Sequence, residues 1–353
     1  MKKSEGCTFD FMTYTTSEGR RAVSTWLLIG MVMVFVMVAI GGLTRLTESG
    51  LSITTWDPIM GAIPPMQAED WVEVFDKYKA TPEYKHKNSG MSLSEFQYIF
   101  WWEWIHRQWG RLIGLVFIIP FLYFLKKKYL RKKGVSRLLV ILGLGALQAF
   151  LGWYMVASGL VDEPRVSHYR LAAHLCTAFL TISLTWWLWL DIRYDTKIPP
   201  VNAHPGFRSK VLVFLVLLSF QIVYGAFTAG KDAGHASAHW PQWTSNSWMP
   251  MTSGFELSTL WNDPAWIQFS HRWFAVLVVG YLLYLALSSR KLTFSRRQTE
   301  GLRYMLGFVV LQFVLGLLTL WTEVQVAVAL FHQLGALMLL MASLYFWHRL
   351  RAA

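Results

Sequence analysis

Residues 24–43 read STWLLIGMVMVFVMVAIGGL, twenty positions without a charged side chain, and this stretch decides the class of protein. A helix rises 1.5 Å per residue, so about 20 apolar residues cross the roughly 30 Å hydrocarbon core of a bilayer. Of the whole chain, 54% is hydrophobic and 15% charged, against about 25% charged in soluble domains. We therefore predict an all-α integral membrane protein whose eight transmembrane helices cover residues 24–43, 97–125, 136–159, 168–190, 208–229, 266–287, 300–320 and 325–348.

The net charge of +12 has a distribution that indicates membrane topology. Of the 33 lysines and arginines, 22 lie in or beside five segments. These are the residues before the first span, the connections after the second, fourth and sixth spans, and the residues after the last span. The positive-inside rule places these segments and both termini in the cytoplasm. This arrangement argues against nucleic-acid binding. Because residues 1–21 contain neither the apolar core of a secretory signal nor the composition of a mitochondrial transit peptide, we favour a bacterial inner membrane over the mitochondrial one.

The chain contains an internal repeat. Leu147-Gln148-x-x-Leu151-Gly152 recurs as Leu311-Gln312-x-x-Leu315-Gly316, and His106-Arg107 recurs as His271-Arg272, at offsets of 164 and 165 residues. Two four-helix bundles of the same orientation are therefore predicted, related by an axis along the membrane normal. The predicted division is a cytoplasmic segment 1–23, an N-terminal half 24–190, a cytoplasmic join 191–207 and a C-terminal half 208–353.

Four histidines lie one on each even-numbered span: His106, His174, His271 and His332. Counted from the predicted outer helix starts, all four reach a similar depth. One intramembrane histidine is often a hydrogen-bonded packing residue, but four at matched depth favour axial ligation of haem iron. The repeat predicts the pairs His106 with His174 and His271 with His332, hence two haem positions. The two cysteines, Cys7 and Cys176, predict no structural disulfide.

Charged and polar residues near these histidines differ between the repeats. Glu103 lies three residues before His106 and therefore on the same side of the helix, whereas the aligned residue of the second half is Gln268. A carboxylate within a membrane marks a functional site by default, and the alternative is an ion pair with Arg107. Guanidinium groups match carboxylates, so the candidate contacts of haem propionates, with snorkelling to the interface as the alternative, are Arg107, Arg111 and Arg272.

These residues lie in longer motifs that resemble the haem A synthase family over nearly the whole chain. The first motif runs from Gly41 to Ser52 and reads GGLTRLTESGLS, followed by Trp56-Asp57-Pro58. Two others read EWIHRQWGRLIG from Glu103 and HYRLAAH from His168. The long first outer loop is similar to the proteobacterial and mitochondrial branch, but this chain lacks the loop cysteines that some members carry.

The resemblance implies oxidation of the C8 methyl group of haem O to the formyl group of haem A, by successive hydroxylations and loss of water from a geminal diol. It implies that His106 and His174 bind the substrate haem, that Glu103 is catalytic, and that His271 and His332 are the axial ligands of a haem B cofactor. A haem O synthase, an electron-transfer partner and a second copy of the chain are candidate partners.

Two other classes of protein remain as alternatives. A dihaem b-type cytochrome that only carries electrons would use the same four histidines, although the difference between Glu103 and Gln268 argues against it. A transporter is favoured by the parallel repeat alone and would more often show Gly or Pro breaks in mid-span.

Overall fold

The computed structural model describes residues 16–55, 60–159, 166–194, 204–251 and 255–351. Regular structure within these residues is helical, without a strand. In chain order the helices are α1 (Ser17–Leu46), α2 (Ala68–Lys79), α3 (Pro82–His86), α4 (Leu93–Lys126), α5 (Lys132–Gly159), α6 (His168–Arg193), α7 (Pro205–Gly230), α8 (Thr259–Asn262), α9 (Pro264–Ser289), α10 (Arg296–Trp321) and α11 (Val326–Arg349). Eight of them, all except α2, α3 and α8, are long and apolar enough to cross a membrane. The predicted all-helical membrane architecture is confirmed.

Polar capping residues extend several of these helices beyond the predicted apolar spans. The largest difference is in α1, which begins at Ser17 because the Thr16 side chain accepts a hydrogen bond from Gly19 N at 3.0 Å. α4 begins with a reciprocal capping box, in which Glu95 bonds the Ser92 backbone at 2.8 Å. Hydropathy locates the membrane-crossing part of a helix, whereas capping sets the residue at which the helix begins.

The membrane helices pack in a pattern that recurs along the chain. α1 contacts α4 and α6, and α6 contacts α5; in the same way α7 contacts α9 and α11, and α11 contacts α10. α1, α6, α7 and α11 also contact one another across the two sets, whereas α4 and α5 are the least buried spans. This is the packing that a two-fold repeat requires, with α1, α6, α7 and α11 at the centre. The division into two four-helix bundles and the cytoplasmic position of the termini stay predictions.

Hydrogen bonds between helices connect the central spans. The Gln333 amide donates to Val38 O at 3.0 Å, which links α11 to α1, and the Trp186 indole donates to Met341 O at 3.0 Å, which links α6 to α11. Apolar side chains gain little from leaving lipid for a protein interior, so close packing and polar contacts of this kind carry helix association in membranes.

The first outer connection contains two helices that were not predicted from the sequence. α2 and α3 pack on the outer end of α4 through an aromatic cluster that includes Phe75, Tyr78 and Phe96. Glu83 is buried beneath this cluster and accepts a hydrogen bond from Tyr78 at 3.0 Å. Burial raises the pKa of the Glu83 carboxyl to about 7. The amphipathic pattern of α2 is short and polar on average, which is why hydropathy alone did not indicate it.

Several predicted features lie wholly or mostly outside the described residues. They are Cys7 in the N-terminal segment 1–23, the motif Trp56-Asp57-Pro58, and the part of the join 191–207 between residues 195 and 203. Cys176 lies on α6 and is half-buried.

Candidate functional site

Each of the four predicted histidines lies on a membrane helix: His106 on α4, His174 on α6, His271 on α9 and His332 on α11. All four side chains are half-buried. His174, His271 and His332 lie six or seven residues after the first residue of their helices, whereas His106 lies thirteen residues after Leu93. The difference arises because the outer end of α4 extends to pack against α2.

A glycine on the neighbouring helix contacts each of these histidines. A methyl group added at each glycine would lie 3.1–3.4 Å from the imidazole, closer than the ordinary 3.5–4.0 Å separation of carbon atoms. A side chain at Gly41, Gly225 or Gly316 would therefore push on the facing ring, whereas at Gly152 it would just touch the ring. The four contacts are Gly41 with His106, Gly152 with His174, Gly225 with His271 and Gly316 with His332.

Three of the four histidines are also held from the same neighbouring helix by a glutamine one turn before the glycine. The side-chain amide donates to the backbone carbonyl of the histidine at 2.8–3.0 Å. The pairs are Gln148 with His174, Gln221 with His271 and Gln312 with His332. The fourth equivalent position is Met37, which has no amide to donate. The environment of His106 therefore differs from that of the other three.

The pair formed by His271 and His332 fits a six-coordinate haem iron. The ring centres are 6.3 Å apart and the ring planes are 87° to each other. Two imidazole nitrogens that bind one metal ion from opposite sides, each at about 2.0 Å, place the ring centres about 6 Å apart. Nδ1 of His332 is buried without a hydrogen-bond partner among the described residues, as is Nδ1 of His174. Burial of such an atom without a partner is costly, so these two rings are held by packing against the glycines and not by hydrogen bonds from Nδ1.

The first-half pair is arranged differently. His106 and His174 are close enough to interact electrostatically, but their rings make no contact of the kind seen between His271 and His332 among the described residues. The geometry of the second pair fits haem, whereas the described rings of the first pair lie too far apart for such contact.

Glu103 is almost completely buried, with 2% of its surface exposed, and both of its oxygens are hydrogen-bonded. Oε2 accepts from Ser52 Oγ at 2.7 Å and from Ile53 N at 2.8 Å, while Oε1 accepts from Arg107 Nη2 at 2.6 Å. Arg107 also donates to the carbonyl oxygens of Ile53 and Thr55 at 3.0 Å. Glu103 and Arg107 thus form the ion pair named above as the alternative, and together they hold the segment 52–55 against α4.

Gln268 and Arg272 hold the corresponding segment in the second half. The Gln268 amide donates to Gly234 O at 2.8 Å and Ser237 O at 3.0 Å, and Arg272 donates to Ser237 O at 2.5 Å. Glu103 accepts hydrogen bonds from the segment after α1, whereas Gln268 donates hydrogen bonds to carbonyl groups of the segment after α7. Each residue therefore suits the segment that it holds.

The three predicted propionate-binding arginines differ in what they contact. Arg107 bonds Glu103 and two carbonyl groups, and Arg111 lies one turn further along α4, half-buried. Arg272 is buried beside the ring of Trp243 at 5.0 Å, and its Nε–H has no partner among the described residues. A buried donor of this kind is suited to an anionic group, and Nη1 of Arg111 is buried as well, so Arg272 and Arg111 both stay candidates.

Three other histidines make structural contacts. His168 bonds Trp261 O at 2.9 Å, and His204 bonds Thr293 O at 3.0 Å. His348 is buried and forms a hydrogen bond with Asp191 at 3.1 Å. No group of three or more His, Cys, Asp or Glu side chains that could hold a metal ion is found in the described part of the chain. The four matched histidines therefore remain the candidate metal ligands.

Comparison with known proteins agrees with this geometry. The sequence profile described as cytochrome oxidase assembly protein matches residues 24–344, which include all four histidines. The chain belongs to this family.

Curated members of the family resemble the chain over nearly its full length. A protein of Flavobacterium johnsoniae named "Heme A synthase" is 42% identical over 336 residues, covering 94% of this chain and 98% of the relative. Proteins with the same name from Flavobacterium psychrophilum and Maricaulis maris are 41% and 40% identical, each over 94% of this chain and 99% or 96% of the relative.

For this member of the cytochrome oxidase assembly family, sequence reasoning missed the residues that support the histidines. Gln148-x-x-x-Gly152 and Gln312-x-x-x-Gly316 were noted only as markers of the repeat. The signal that could have found their role is the same Gln-x-x-x-Gly spacing at Gln221 and Gly225 in a third membrane helix. Each of these spacings faces a histidine on the helix that follows in sequence.

Replacing Gly316 by valine is expected to lower the amount of bound haem at least severalfold, because the added methyl groups would displace the His332 ring. Gly307→Val is the matched control on the same helix, since a Cβ at Gly307 meets no atom within 4 Å. The measurement is haem absorbance per purified protein. Equal haem content in the two variants would contradict the proposed contact.

Proposed function

We propose that this protein is a haem A synthase, which oxidises the C8 methyl group of haem O to a formyl group and so supplies haem A to terminal oxidases. The observation that carries the proposal is the set of four helix-borne imidazoles, each packed on a glycine, in a chain about 40% identical over 94% of its length to proteins named "Heme A synthase".

His271 and His332 are proposed to be the axial ligands of the resident haem, a haem B. The 6.3 Å separation of their rings supports this role, as do Gln221 and Gln312, which fix the two histidine backbones. A haem held there supplies one-electron redox chemistry. The chain itself supplies the rigid ligand geometry and, through Arg272, a buried donor for an anionic substituent.

The first half is proposed to bind the substrate haem O through His106 and His174. His106 lacks the glutamine contact that holds the other three histidines, and this difference supports a site that must exchange its ligand. Glu103 has the contacts of a positioning residue, because it holds residues 52–55 over α4. We also propose that Glu103 is the catalytic carboxylate, as the sequence predicts.

A dihaem cytochrome that only carries electrons is the alternative function. The ion pair between Glu103 and Arg107 favours this alternative, because a carboxylate that is neutralised by an arginine is less able to act on a bound haem than an unpaired one. Extraction and identification of the pigments tests the two functions. A synthase purified from cells that make haem O should contain haem B together with haem O or haem A, whereas an electron carrier should contain only its two resident haems.

The proposed location is a bacterial inner membrane with both termini in the cytoplasm. Reporter fusions at Lys132 and Ser295 are expected to be active on the cytoplasmic side, and fusions at Tyr84 and Ser245 on the outer side. One pair with the reverse activity would refute the proposed orientation.

The proposed partners follow from the reaction. Oxidation of a methyl carbon to a formyl carbon removes electrons, so an electron-transfer partner is required, and a haem O synthase is the candidate source of the substrate. A homo-oligomer is a further candidate assembly within the lipid bilayer.

A further inference from the structure

Three arginines from three helices surround the ring of Tyr194, the residue that follows α6. The guanidinium carbons of Arg349, Arg297 and Arg193 lie 4.5, 4.7 and 6.0 Å from the ring centre. None of the three forms an ion pair with a carboxylate in the part of the chain that the structure describes. We call these four residues the Tyr194 cluster.

A fourth arginine, Arg208 at the start of α7, lies at the same end of the molecule but contacts a different ring, which belongs to α11. Arg208 lies 4.4 Å from the centre of the Trp347 ring, and its Nε is buried without a hydrogen-bond partner among the described residues. Nε of Arg349 is in the same condition. Two guanidinium groups at one end of the molecule therefore contain buried donors that the described side chains do not use, which is costly without an acceptor.

Acidic residues near the Tyr194 cluster already have cationic partners. Asp191 contacts Arg137 at 3.0 Å and Arg351 at 2.8 Å, and also His348. Glu300 contacts Arg296 at 2.8 Å. The positive charge around Tyr194 is thus not balanced by these carboxylates, so an external anion would relieve the repulsion among the arginines.

The position of the Tyr194 cluster indicates the source of the anion. α6 and α11 end here and α10 begins here, so the arginines lie at the level at which membrane helices leave the hydrocarbon core. Tyrosine and tryptophan are enriched at that level, and basic pockets between membrane helices bind lipid headgroups. A guanidinium donates two parallel hydrogen bonds to a phosphate, which matches the two free oxygens of a phosphodiester.

We propose that the Tyr194 cluster binds the phosphodiester headgroup of an anionic phospholipid. The lipid contacts α6 of the predicted N-terminal half and α10 and α11 of the predicted C-terminal half. Its binding therefore stabilises the packing of the two halves against each other, independently of the chemistry at the histidines.

The test compares the full-length protein in bilayer nanodiscs of phosphatidylcholine alone and of phosphatidylcholine mixed with phosphatidylglycerol. The variant Arg297→Gln/Arg349→Gln removes two arginines of the cluster. The control Arg290→Gln/Lys291→Gln removes two exposed charges just after α9. Arg297→Gln alone is a milder variant, since Arg297 is exposed on the surface of α10. Readouts are the thermal unfolding midpoint and the phosphatidylglycerol retained in native mass spectrometry.

The wild-type protein and the control are expected to unfold at a higher temperature when phosphatidylglycerol is present and to retain it. The cluster variants should lose the stabilisation, and the double variant should retain phosphatidylglycerol roughly tenfold less. Equal retention by the control and the double variant would overturn the proposal. An equal rise of the midpoint with inorganic phosphate in phosphatidylcholine nanodiscs would overturn the lipid assignment.

Discussion

Replacing His271 or His332 by alanine is expected to abolish the haem B that purifies with the protein. Each imidazole is proposed to supply one axial ligand, so removal of either one leaves the iron with a single ligand from the 6.3 Å pair. The surrounding glycine and glutamine contacts are built on the ring and backbone of each histidine, so alanine leaves a cavity that has no ligand. Absorption spectra of the purified variants measure the loss.

His86→Ala is the matched control for this prediction, because His86 is exposed at the end of α3 and far in sequence from either pair. It should retain the wild-type spectrum. A normal six-coordinate haem B spectrum in both His271→Ala and His332→Ala would contradict the ligand assignment.

Replacing Glu103 by glutamine is expected to stop haem A formation while leaving the second-half haem in place. The amide cannot accept hydrogen bonds from Ser52, Ile53 N and Arg107 at once, and it has no negative charge for Arg107 to pair with. Removal of a charge directed at a reacting group commonly lowers a rate on the order of 10²–10³-fold. Chromatography of membrane extracts should show accumulation of haem O or of a hydroxylated intermediate.

Two further variants separate a catalytic Glu103 from a positioning one. Ser52→Ala and Arg107→Gln keep the carboxylate but remove its partners, so they should reproduce the loss if Glu103 acts by holding residues 52–55. They should retain most of the activity if the carboxylate itself acts on the substrate. Glu95→Gln, on the exposed first turn of the same helix, is the control and should behave as wild type. Near-normal haem A output from Glu103→Gln would exclude both roles.

The membrane helices were predictable because each one is encoded by a continuous stretch of the sequence and needs no contact with distant residues to be recognised. An apolar run of sufficient length is visible in the sequence, and the bilayer leaves a helix as the stable structure for it. α1 through α11 accordingly include all eight predicted spans. α2 and α3 were not predicted, because the aromatic cluster of Phe75, Tyr78 and Phe96 that holds them forms only when the outer loop folds onto α4.

The candidate site was predictable in its histidines but not in their surroundings. Four histidines on alternate spans stand out in an apolar sequence, whereas Gly225 and Gln221 gain meaning only when the neighbouring helix brings His271 against them. The ion pair of Glu103 with Arg107 follows from their spacing of four residues. Its additional bonds to Ser52 and Ile53 N depend on the path of the chain after α1, which no sequence pattern indicated.

The central claim is that the protein oxidises haem O, and the most direct measurement is turnover by the purified protein. The protein, reconstituted in lipid with its resident haem, is incubated with haem O and an electron acceptor, and the extracted haems are identified by chromatography and mass spectrometry. The relative from Flavobacterium johnsoniae named "Heme A synthase" serves as the reference under the same conditions. We predict that haem A appears and that the Glu103→Gln variant forms little of it. Haem bound at both pairs of histidines, without conversion of haem O under conditions in which the reference protein forms haem A, would contradict the account.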